Sequence, residues 1–198
     1  MKLILFFSFF CMSSVCAVPV ARVYEMTGEV KYSGKALKKD DVLSENGIIT
    51  TGKGSSIKLV VDFWRGFLTL NANTSLKVGL WGKGLKKGYF LMNGSCEWME
   101  KRKEKGSKIQ GRLFHTSNTT VKVEKGDMLL VHDDILQETE ILVFKGKSIL
   151  QSQKDPNDRI IIKKGIWGGI GGRFGDTIGE IMALPLKKQK YFLNKKRY

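Results

Sequence analysis

Short β-favouring runs closed by Gly, Asn or Asp recur along nearly the whole chain. They fall at Arg22–Tyr24, Glu29–Tyr32, Gly47–Thr51, Ser56–Asp62, Gly66–Leu70, Leu76–Leu80, Gly88–Met92, Glu97–Met99, Arg112–Thr116, Thr119–Glu124, Met128–His132, Glu140–Phe144, Lys147–Gln151 and Arg159–Lys163. In Thr120-Val121-Lys122-Val123-Glu124 apolar and polar positions alternate, which puts both valines on one sheet face. Ile141-Leu142-Val143-Phe144 is apolar throughout, the pattern of a strand covered on both sides. Three prolines, at 19, 156 and 185, stay out of strand interiors. No long helical periodicity competes, so the pattern predicts a single all-β domain, a sandwich or rolled sheet of many short strands.

Two segments depart from this rhythm. Between Met99 and Arg112 the chain is charged and poor in apolar residues, which predicts a protruding hairpin loop. From Trp167 onward a Gly-rich link leads into a predicted short amphipathic helix, Asp176–Leu184, ended by Pro185, and then into a basic tail. The expected organisation is an N-terminal leader over 1–17, the β domain over 18–166, and link plus tail over 167–198.

The leader follows from a basic start at Lys2, an apolar run from Leu3 to Cys11 and small residues around Ala17, the arrangement of a cleavable secretory signal. Export to the periplasm is the expected destination, with the outer surface or medium as alternatives. Cleavage after Ala17 leaves one cysteine, Cys96, so no internal disulfide framework is expected. The net charge of +15 becomes +14 when Lys2 is lost, because one fewer than 34 Lys and Arg then faces 19 Asp and Glu. That excess favours anionic partners or surfaces. In an exported chain these are envelope lipids or polymers, and nucleic acid is not expected.

The candidate chemistry is sparse. Gly47-Ile48-Ile49-Thr50-Thr51-Gly52-Lys53-Gly54 approaches a phosphate-binding loop, but Gly54 replaces the metal-binding hydroxyl, and the β-branched run prefers extended backbone. The stretch reads instead as a turn that folds Gly47–Thr51 back onto Ile57–Asp62. Trp167-Gly168-Gly169-Ile170-Gly171-Gly172 lacks the dinucleotide spacing. Cys96, His115 and His132 lack metal-ligand spacing, and the pairs Asp40-Asp41 and Asp133-Asp134 read as turn caps. No catalytic set, metal or cofactor is predicted. The candidate contacts to a partner or anion are Lys101, Arg102, Lys103 and Lys105 in the loop, with Lys187, Lys188, Lys190, Lys195, Lys196 and Arg197 in the tail.

Residues 27–78 resemble a FecR domain, a bacterial envelope module. The resemblance rests on a G-x-V strand at Gly28, a turn from Leu37 to Leu43, an I-x-T-G-x-x-S-like turn from Ile49 to Ser55, a strand ending at Asp62, Leu68 to Leu70, and Ser75 to Val78. A second match spans 115–165, where Ser117 stands in place of a family Pro and Glu124-Lys125-Gly126-Asp127 in place of Arg-Gly-Thr. The resemblance implies a non-catalytic exported binding or scaffold module that recognises a protein or anionic envelope component. It also implies an alternative role, the periplasmic component of a sigma-factor or iron-type signalling system.

Overall fold

The computed structural model describes residues 19–61, 65–81, 86–101 and 112–189. They form β1 (Pro19–Thr27), β2 (Val30–Tyr32), β3 (Lys35–Ala36), β4 (Val42–Ser44), β5 (Ile48–Thr51), β6 (Ser56–Val61), β7 (Gly66–Leu70), β8 (Ser75–Trp81), β9 (Lys86–Glu100), β10 (Arg112–His115), β11 (Thr119–Asp133), β12 (Glu138–Ser152), β13 (Arg159–Lys163), β14 (Ile166–Ile170) and β15 (Met182–Ala183). The all-β expectation holds.

These strands make one continuous sheet that folds back on itself through three long members. The first half of β9 pairs with β8 and β10, and its second half with β7 and β11. Likewise β11 and β12 change partners along their length: β11 passes from β10 to β9, and β12 from β14 to β13. The change falls at Gly94 in β9 and at the facing pair Gly126 and Gly146, all with positive φ. One half of the sheet therefore runs β3-β2-β5-β8-β9-β10-β11-β12-β13, and the other β4-β1-β6-β7-β9-β11-β12-β14-β15. Their inner faces share one apolar core, in which Tyr89 and Phe114 of the first half meet Trp98 of the second.

Strand alternation explains which residues enter that core. Val121 and Val123 point in, while Lys122 between them is exposed. The apolar run 141–144 is covered on both sides: Ile141 and Val143 lie in the main core, and Leu142 packs with Leu129 and Leu184 on the outer face. Cys96 is a fully buried thiol of the main core.

Four expectations are corrected. The Gly52–Ser55 turn does not make a hairpin, because β5 pairs with β2 and β8 while β6 pairs with β1 and β7. The turn carries the chain from one half of the sheet to the other, with Gly52 N donating to Glu29 O and Ser55 Oγ accepting from Glu29 N, both at 2.9 Å. Nor is the 99–112 segment a hairpin, since β9 and β10 run parallel. Parallel neighbours need a long crossover, and this segment is about that length.

The third correction concerns the Gly-rich link, which is strand β14, paired with β12 from Ile170↔Thr139 to Trp167↔Leu142. Its glycines admit close neighbours: a Cβ on Gly169 would lie 2.6 Å from the Phe174 ring. The fourth is the helix expected over 176–184. That stretch holds a bridge between Ile170 and Ile178 and the short strand β15, because its backbone is drawn to the edge of β14. A short helical turn instead occupies 186–189, directly after Pro185. Proline's fixed φ suits it to the start of a helical turn, not its end.

Candidate functional site

A cleft of about 710 Å³ opens where the turns after β10, β11 and β14 converge. Ser117, Gln137, Gln153, Ile170, Gly172 and Asp176 are among the residues that line it. Its floor is a network built by register. Asn118 holds the turn after β11 and the end of β14 together, donating to Gln137 O at 2.6 Å and to Ile170 O at 3.4 Å. Thr139 Oγ1 donates to Asn118 Oδ1 at 2.6 Å, and Thr116 Oγ1 lies 2.9 Å from Thr139 Oγ1.

Within this floor Ser117 Oγ lies 3.2 Å from His132 Nε2. An exposed serine beside a buried imidazole is the first element of an activated nucleophile. The rest of the arrangement differs from that of a hydrolase. Ser117 donates its proton to Gln137 Oε1 at 2.5 Å. His132 Nδ1 faces Thr139 Oγ1 at 2.9 Å and the Glu138 carbonyl at 3.2 Å, where a triad would place a carboxylate. The group works as a polar tie between two turns.

Burial pulls the His132 imidazole below its usual range, opposed by the Glu138 carbonyl and by Asp134 and Asp133. Burial lowers His115 in the same direction. Above the ordinary histidine value of 6.5 both side chains are neutral folded and unfolded, and they make no pH-dependent contribution. Below it the unfolded chain takes up protons first, so stability falls as pH falls. The slope reaches at most about 1.4 kcal/mol per pH unit for each histidine. Urea midpoints at pH 7.5 and 5.0 should therefore drop on acidification, and His132→Gln should flatten the dependence. An unchanged slope in that variant would contradict the assignment.

Beside the cleft, on the outer face of β12 and β14, Arg173 is pinned by Glu138 at 3.2 Å and Glu140 at 2.8 Å. Its guanidinium lies 5.2 Å from the Trp167 ring and 5.3 Å from the Phe174 ring. Trp167 Nε1 donates to Glu140 Oε2 at 2.7 Å. These contacts fasten the segment after β14 to the sheet.

Of the basic residues expected to meet a partner, the described Lys101, Lys187 and Lys188 do not line the cleft. Lys101 directly follows β9, its ammonium 4.9 Å from the Phe67 ring centroid, and Lys187 and Lys188 are exposed on the 186–189 turn. β9 and β15 stand four strand positions apart, about 19 Å at the usual spacing. Arg102, Lys103, Lys105, Lys190, Lys195, Lys196 and Arg197 lie outside the described residues. Arg112, at the end of the basic loop, is no surface cation: it is fully buried, with Nη2 3.0 Å from Glu100 Oε1 and its guanidinium 5.0 Å from the Trp98 ring. The acidic pairs act as caps. Asp133 Oδ1 accepts from the backbone of Ile135 and Leu136, each at 2.9 Å, and Asp41 Oδ2 accepts from Lys38 N at 2.8 Å.

No protein-family model and no curated protein matches the chain. Solved structures do. Two crystal structures of a "putative anti-sigma factor" from Parabacteroides distasonis superpose with TM-scores of 0.55 and 0.56 at 14% and 15% identity. The fold is shared with these structures. Each superposition covers 74% of this chain and 64% or 63% of the other, so this chain spans less than two thirds of those proteins. Among the described residues no helix is long and apolar enough to cross a membrane.

Proposed function

We propose that this chain is a FecR-like, non-catalytic recognition module of an exported signalling system, working on the periplasmic side. The observation that supports the reading best is the fold shared with the P. distasonis protein across most of the chain. The signal-like start supports the exported setting, and the positive charge supports an anionic partner. The cleft agrees with it, because its serine and histidine are occupied in holding turns together. In this reading the loop cations from Lys101 to Lys105 and the tail cations from Lys187 to Arg197 contact a protein or anionic envelope partner.

Deleting the gene should shift transcripts of a discrete set of genes that share one promoter class, and the intact chain supplied in trans should restore them. An unchanged RNA profile under envelope stress and iron limitation would overturn the proposal.

A further inference from the structure

The register of β11, β12 and β13 sets Lys125, Lys147 and Lys163 directly opposite one another, three lysines in one row across three strands. All three are exposed. Like charges in directly opposed positions are unfavourable in a sheet. Glu124 bonds Lys147 at 2.6 Å and is the only carboxylate on the three paired segments, 119–125, 147–152 and 159–163. In the neighbouring turn Asp158 accepts from Ile178 N and Asp155 from Asn157 N.

The next row on the same outer face is Lys122, Ile149 and Ile161, and the row beyond is Thr120, Gln151 and the exposed Arg159. Ile161, at the centre of β13, is 48% exposed, and among the described strands β13 pairs only with β12. The face is thus a sheet surface with an apolar strip between cations. A polyanion chain is better matched by a charged groove; a bilayer offers headgroup charge and an apolar layer together, which lysines can span with their stems.

We infer that the outer face of β11, β12 and β13 docks on an anionic lipid surface, with Lys125, Lys147, Lys163, Lys122 and Arg159 meeting headgroup phosphates and Ile161 entering the interface. This goes beyond the signalling reading. It needs only purified protein and vesicles, so its failure and that of the transcript test are separate results.

Co-sedimentation with vesicles of phosphatidylcholine and phosphatidylglycerol, against phosphatidylcholine alone, tests it. The protein should bind the anionic vesicles and lose them in 0.5 M salt. Each neutralised cation should weaken binding about fivefold, so K125Q/K147Q/K163Q should fall about 100-fold. I161N should weaken it about tenfold with unchanged salt dependence. Melting temperatures provide the folding control: the triple variant should melt within about 3 °C of the parent, since relief of like-charge pairs offsets a surface ion pair. Parent-like binding by the folded triple variant would overturn the inference. So would lysine-dependent capture of a soluble polyanion with no vesicle binding.

Discussion

Gly126→Val is expected to destabilise the protein by at least about 3 kcal/mol. Gly126 has a φ of +103°, a region that a β-branched residue occupies only with strain. A Cβ there would also lie 1.8 Å from the Lys145 carbonyl oxygen and 2.4 Å from its carbon, both backbone atoms that no rotamer change can move. Opposite it, a Cβ on Gly146 would lie 2.0 Å from Lys125 O. The two strands are therefore in backbone contact where both bend. The whole architecture passes through this point, because on either side of it β11 and β12 belong to different halves of the sheet. Urea unfolding followed by tryptophan fluorescence measures the loss. A variant with a parental midpoint would mean that the strands turn elsewhere.

Arg112→Met is expected to cost about 3–5 kcal/mol, although a buried ion pair is weak ground for net stability. The loss comes from what is left behind. Glu100, with a side chain only 6% exposed, would be left buried without the guanidinium that compensates it. Its Oε2 would still accept from Gly126 N at 3.0 Å, tying the uncompensated carboxylate to the same bend. Glu100→Gln in the same chain removes that charge and keeps an acceptor for Gly126. The double variant should therefore be more stable than Arg112→Met alone, and the double-mutant cycle should show about 1–3 kcal/mol of coupling. Strictly additive losses would show that the pair does not interact in solution.

Arg112 also shows where sequence reading stops. The segment 101–112 has the composition of a solvated basic loop, and composition carries no information about which cation turns inward. That is decided by β10 pairing parallel to β9, which aims Arg112 at the same interior as Phe114. The strands themselves were legible, because alternation reports directly on which face is buried. So was the double coverage of 141–144 and the capping role of Asp41 and Asp133. Partner choice was not. Gly47–Thr51 and Ser56–Val61 flank a turn suited to a hairpin, yet they lie in different halves of the sheet, since local turn chemistry does not specify long-range pairing. The run 176–184 has a helix-compatible pattern, but an unfilled edge on β14 draws it into extended backbone.

The site was hidden for the same reason. Ser117 and His132 are fifteen residues apart and meet only because β11 returns beside the turn that precedes it. The row Lys125, Lys147, Lys163 exists only through the registers of two strand pairs. No local spacing marks either one.

The claim that this module recognises without catalysing turns most directly on Ser117. In a strain lacking the gene, the Ser117→Ala chain, matched to the parent in expression and melting temperature, should restore the transcript profile as fully as the parent does. Failure of that folded variant to restore it would show that the serine hydroxyl does more than tie two turns together and would contradict the account.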